Sequence, residues 1–157
     1  MPAPRAAKPT LSALHLLHRA GQRADELFAE QIGERDLTPR QYAVMRAVAQ
    51  ADEPSQTDLV DKTGIDRSTL ADIVRRLVER GLLQRRRTRQ DARMYAVKLT
   101  ASGNGALRSA EPAARKTDDR LLGALSNAER DTLLKALDKI VATTNEPEPP
   151  RKRTAKR

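Results

Sequence analysis

Residues 55–99 leave few folds open. Ser55 can cap a short helix through Leu59 and Val60, and Gly64 is a suitable C-terminal stop. Asp66 is a good cap for a second helix, 67–80, whose apolar positions Leu70, Ile73, Val74, Leu77 and Val78 recur at i, i+3, i+4, i+7 and i+8. Gly81 ends it. Leu82-Leu83-Gln84-Arg85-Arg86-Arg87 and Tyr95-Ala96-Val97-Lys98-Leu99 then read as two antiparallel strands around a polar tip, 88–94. Two short helices about the Thr63-Gly64-Ile65 turn, followed at once by a basic hairpin, make a winged helix-turn-helix.

The charge is concentrated on that unit. The 157 residues carry a net +9. Residues 67–98 hold ten Lys/Arg against three acids, a local +7, and Arg151-Lys152-Arg153-Thr154-Ala155-Lys156-Arg157 adds +5. The rest is mildly acidic. Large apolar side chains do not interleave with the basic ones, as membrane-surface binding would require. A phosphate backbone is the better partner.

The flanks predict long helices. Residues 1–10 form an expected flexible arm. Leu14, Leu17, Ala20, Ala24, Leu27, Phe28 and Ile32 recur every three or four residues and predict one helix over 11–33. Thr38-Pro39-Arg40-Gln41 carries a capping box and a proline suited to the first helical position, starting a helix that reaches about residue 51. Thr100 caps a helix reaching about residue 125, with a kink or break expected at Pro112. Ser126-Asn127-Ala128-Glu129 opens the last helix, and 145–157 reads as a disordered basic tail. The expected organisation is thus dimerisation helices at 11–36 and 101–144 around a DNA-binding domain at 37–100. The fold class is mainly α with a small β-hairpin wing. Apolar stripes at both chain ends exceed what a small central domain can cover, so two copies should pair.

Candidate DNA contacts follow. Arg67, Ser68 and Thr69 begin the second helix of the motif, where a major-groove reader meets base edges, although Ser68 and Thr69 also suit plain helix-start chemistry. Arg75 and Arg76 lie further along it. Ser55, Gln56 and Thr57 begin the first helix, where unpaired backbone N–H groups favour phosphate, with capping as the other reading. Arg85, Arg86 and Arg87 alternate across a strand, so one must face away; Arg86 is that one. Arg89 and Arg93 occupy the tip.

In the order and spacing of several stretches the chain resembles the MarR family of bacterial winged-helix regulators, over about residues 11–143. These are Leu37-Thr38-Pro39-Arg40-Gln41-Tyr42-Ala43-Val44, then Gly64-Ile65-Asp66-Arg67-Ser68-Thr69-Leu70. Val74-Arg75-Arg76-Leu77-Val78-Glu79-Arg80-Gly81-Leu82 follows, then Asp91-Ala92-Arg93, and last Val97-Lys98-Leu99-Thr100-Ala101-Ser102-Gly103. The resemblance implies an obligate homodimer joined through its first and last two helices. Such a dimer binds a pseudopalindromic operator, usually as a repressor released by a small ligand.

The resemblance also implies residue roles. Arg93 matches the arginine that enters the minor groove, and Asp91 is implied to hold Arg93 or Arg76 by a salt bridge, with a solvated turn aspartate as the alternative. The chain departs from the family pattern at Ala92, where another charge is usual, and at Met94, where a small residue is common. Effectors in the family bind between the dimerisation helices and the winged helix. His15, His18, Arg19, Gln22 and Arg23 share one face of the first helix, with Arg40 near it. That cationic wall suits an anionic ligand such as an aromatic carboxylate or its coenzyme A thioester. A solvated face, or pairing with acids of the other subunit, is the alternative.

Other function classes are poorly served. The chain has no cysteine, which removes disulfides, thiol redox sensing and cysteine-ligated metals. Its two histidines sit on one predicted helix with no third ligand, and no cofactor motif is present, so neither an enzyme nor a metal or cofactor is expected. No apolar run nears the ~18 residues of a membrane span. His15 breaks the apolar stretch that a secretory signal would need, and the expected location is cytoplasmic, on the nucleoid. The competing possibility is a sequence-neutral architectural DNA binder that uses charge alone.

Overall fold

The computed structural model describes residues 12–33, 37–88, 90–91 and 93–144. The expected arm at 1–10, the tail at 145–157 and Arg89 lie outside these residues. The element order is α1 (Ala13–Ile32), α2 (Pro39–Ala49), α3 (Gln56–Thr63), α4 (Arg67–Glu79), β1 (Leu83–Arg87), β2 (Tyr95–Leu99), α5 (Ala101–Leu121) and α6 (Asn127–Thr144). Two compact units divide between Leu121 and Leu122. Of the two helices expected over 101–144, α5 belongs to the first unit and α6 to the second.

Local chemistry sets the helix ends. Thr38 Oγ1 accepts the N–H of Gln41, whose side chain accepts the N–H of Thr38, each at 3.1 Å. Asp66 Oδ1 accepts the N–H of Thr69 at 2.9 Å to open α4. Between α3 and α4, Gly64 adopts φ +67°, a left-handed conformation that L side chains enter at a cost, and its N–H closes on Val60 O at 2.9 Å. The turn is therefore tight, and it fixes the angle between the two helices.

The core of the first unit gathers one stripe from each helix. Val44, Met45, Leu59, Leu70, Val74, Leu77, Leu83 and Val97 are all buried. Each such side chain contributes roughly 1.5–3 kcal/mol by leaving water. Phe28 of α1 meets Tyr42 of α2 with ring centroids 5.4 Å apart. α1 lies against α5, where Arg120 reaches Glu30 at 2.7 Å.

The hairpin pairs Leu83 with Leu99, Arg85 with Val97 and Arg87 with Tyr95. Val97 donates its N–H to Pro54 O at 2.9 Å, which adds the segment before α3 to the hairpin edge. α5 runs through Pro112 without a break, so of the expected kink or break the break is not seen. Pro112 is exposed while Ala110 and Ala113 beside it are buried, so packing on α1 and the core carries the helix past one missing N–H. The helix stops at Leu121, four residues before the predicted end, and Ser126 accepts the Glu129 N–H at 3.3 Å to start α6.

Within the second unit, no described residue of α6 is buried, and Leu134 and Ile140 are about half exposed. Leu14, Leu16 and Leu17 of α1 are exposed likewise. No helix among the described residues is long and apolar enough to cross a membrane.

Candidate nucleic-acid interface

The buried stripe of α4 turns the opposite side of that helix outward. Arg67, Ser68, Arg75 and Arg76 are exposed and Thr69 is half-buried. Ser68 is partly committed, since its hydroxyl donates to the capping carboxylate of Asp66 at 2.8 Å. Hydrogen bonds from Thr69 and then Ser68 converge on that carboxylate and hold its pKa down to about 2. The start of α4 is thus rigid, with the Arg67 side chain exposed beside it.

At the start of α3 Ser55 caps the helix. Ser55 N and Oγ both donate to Asp58 Oδ2, at 2.8 and 2.7 Å, while Asp58 N donates to Ser55 Oγ at 3.1 Å. These bonds keep the Asp58 carboxyl below its ordinary range. An ionised acid at this helix end competes with phosphate for the same N–H groups. Gln56 is half-buried and Thr57 exposed.

Strand alternation sorts the three arginines of β1 as predicted by period. Arg85 and Arg87 lie on the strand face of Leu83, and Arg86 on the other. All three are exposed. The Arg87 guanidinium sits 6.0 Å from the Tyr95 ring centroid, which steadies it across the hairpin.

The tip differs from expectation in one contact. Asp91 Oδ1 accepts the backbone N–H of Arg93 at 2.9 Å, and no ion pair joins it to the guanidinium of Arg93 or Arg76 among the described residues. Arg76 instead pairs with Asp72 at 2.8 Å. The reason is local: two residues of separation place the carboxylate over the next-but-one N–H, as in an Asx turn. Thr88 reinforces the turn, donating to Asp91 O at 2.7 Å and accepting Asp91 N at 3.1 Å. Asp91 therefore shapes the tip, while the Arg93 side chain stays exposed.

The predicted effector wall is not gathered around one cavity. His15 and His18 border a shallow depression of about 350 Å³ with Ser12 and Leu14, which Arg19, Arg23 and Arg40 do not line. Arg23 is engaged with Glu26 at 3.1 Å and Glu30 at 3.9 Å. A cleft of about 400 Å³ opens instead between α2 and α5. Tyr42, Arg46, Gln50, Glu111, Arg115 and Asp118 surround it, over Leu107 and Ala114. Arg46 Nη1 approaches the Tyr42 hydroxyl at 3.5 Å. The spacing of Tyr42 with Arg46, and of Glu111 with Arg115 and Asp118, marks a polar edge on each helix, but only their packing makes the cleft.

A helix-turn-helix with an outward-facing second helix, beside a hairpin studded with exposed arginines, defines a winged helix-turn-helix protein of the DNA-binding kind. The MarR family pattern matches residues 35–94. The HTH-type transcriptional repressor NicR of Pseudomonas putida is 34% identical over 127 residues, covering 81% of this chain and 80% of NicR. The chain belongs to the MarR family. Two solved structures place the fold in the same company. Bordetella bronchiseptica BpsR, whose DNA binding is described as regulated by 6-hydroxynicotinic acid, superposes with TM-score 0.74 at 32% identity, over 80% of this chain and 96% of BpsR. The transcriptional repressor CouR, solved bound to a 23-mer DNA duplex, superposes with TM-score 0.75 at 31% identity, over 82% and 92% of the two chains.

Proposed function

We propose that the protein is a homodimeric transcriptional repressor that binds a pseudopalindromic operator and is released by a small anionic aromatic effector. The observation that carries this is the joint presentation, on one unit, of the exposed α4 face and the hairpin arginines Arg85, Arg87 and Arg93. α4 enters the major groove with Arg67, Ser68 and Thr69 foremost, and Arg93 reaches the adjacent minor groove. Exposed leucines on α1 and the unburied apolar face of α6 supply the dimer contact, as an isologous pairing requires. Two α4 helices then meet half-sites roughly 34–36 Å apart.

The α2–α5 cleft is the effector site. Its volume suits a one-ring acid, with Arg46 and Arg115 for a carboxylate and Leu107 and Ala114 for the ring. Glu111 and Asp118 suit a ring N–H or hydroxyl donor. Names of relatives support a repressor and an aromatic-acid ligand: NicR is called a repressor, and the DNA binding of BpsR is described as regulated by 6-hydroxynicotinic acid. The test is a thermal-shift panel of aromatic acids followed by displacement of bound operator. A ligand that raises the melting point and releases DNA from the wild type, but releases much less from Arg46→Ala, supports the site. An equal release from both proteins contradicts it.

A further inference from the structure

The outermost crest of α4 is not uniformly basic. Opposite the buried Leu70, Ile73, Val74 and Leu77, the positions i, i+4, i+7 and i+11 are Ser68, Asp72, Arg75 and Glu79. Asp72 gives one carboxylate oxygen to Arg75 Nη2 at 2.5 Å and the other to Arg76 Nε at 2.8 Å. Arg75 Nη1 reaches Glu79 Oε1 at 2.7 Å. The Arg75 hydrogen bond holds the Asp72 carboxyl below its usual range, so the acid stays ionised wherever DNA is bound.

Two carboxylates on this crest are a poor surface for bare phosphate, which they repel. They are a good device for discrimination. A guanidinium bridged to a carboxylate keeps its plane and its remaining donors in a set direction, as bidentate base recognition needs. A guanidinium has five N–H donors, so each arginine keeps its bridge to Asp72 while its remaining donors meet base edges. Asp72 then faces the groove and can accept from the amino group of a cytosine. Over the wrong sequence it meets no donor, and its charge opposes binding.

We propose that Asp72 is a specificity-determining residue: it aims Arg75 and Arg76 at base edges and penalises DNA that lacks the matching bases. This rests on α4 being the groove-reading helix proposed above, and the test separates the two. Full-length wild type, Asp72→Asn and Arg67→Ala are titrated at fixed salt, and across a salt series, against two duplexes. One is the inverted repeat that the wild type enriches from a random pool; the other is a scrambled duplex of equal length and composition. Asp72→Asn is expected to tighten binding to the scrambled duplex and lower the repeat-over-scrambled ratio by about tenfold. Its salt slope on scrambled DNA steepens by about one or two, because freed arginines neutralise phosphate. An unchanged ratio overturns the proposal, whether both affinities rise or fall together. If Arg67→Ala weakens binding while the Asp72→Asn ratio stays intact, only the role of Asp72 is lost. If neither variant alters binding to either duplex, α4 is not at the DNA and both fail.

Discussion

Lys98 Nζ donates to Glu53 Oε1 at 2.7 Å, tying the second wing strand to the loop after α2. The pair is about two-thirds to four-fifths buried, and it lies beside the bond from Val97 N to Pro54 O. Together they fix the hairpin to the body that carries α3 and α4. Glu53 accepts a φ of +48° to make the contact, a strained conformation for a side chain of its size.

Glu53→Gln tests that tether by the sign of its effect. Removing an acid near DNA should by itself tighten binding. Loss of the tether lets the wing wander and is expected to weaken operator binding several-fold, with a stability loss of no more than about 1 kcal/mol. Tighter operator binding in a titration at fixed salt counts against the tether.

Arg93→Ala is expected to weaken operator binding by about tenfold while the dimer, followed by sedimentation, stays intact. Asp91→Ala should lose part of the same affinity, because it leaves the Arg93 side chain in place but frees the backbone that aims it. Unchanged affinity in Arg93→Ala removes the wing tip from the mechanism.

Gly103→Ala probes the junction between wing and α5. A Cβ on Gly103 would stand 1.9 Å from the carbonyl oxygen of Leu82. Thr100 locks the same junction, donating through Oγ1 to Gly81 O at 2.6 Å and accepting Gly103 N at 2.9 Å. Backbone must move to admit the methyl group, at a cost of about 2 kcal/mol or more. Thermal melting should fall by roughly 5 °C or more; an unchanged melting temperature contradicts the close approach.

Asp66 sets an acid limit on α4. Its folded pKa of about 2 lies below the ordinary 3.8, so its contribution to stability is complete above pH 3.8 and is lost as pH falls toward 2. Asp66→Asn keeps a competent cap without the charge. The difference in unfolding free energy between the two proteins should shrink across that interval. A constant difference from pH 6 to pH 2 would falsify the assignment.

Where structure depends on neighbours in the chain, it was readable from the residues alone. The Thr38–Gln41 box, the Asp66 cap, the stop at Gly81 and the stripe from Leu70 to Leu77 each rest on interactions within one or two turns. What needed the third dimension was not readable. The cleft joins Tyr42 to Arg115 across two helices far apart in sequence, so no spacing within either helix marks it. Likewise the family resemblance implied a loop carboxylate as a partner for Arg76, while the helical i, i+4 neighbour Asp72 holds it. Pro112 reads as a kink or a break in isolation, yet burial of Ala110 and Ala113 on either side carries α5 through it without a break.

The most direct measurement is selection of bound duplexes by the full-length protein from a pool of random-sequence DNA at physiological salt. Successive rounds should converge on an inverted repeat whose half-site centres lie one helical turn, about 10 base pairs, apart, bound by two copies of the chain. A pool that stays random through every round, retained in proportion to its charge alone, would contradict a repressor that reads sequence with α4 and the wing.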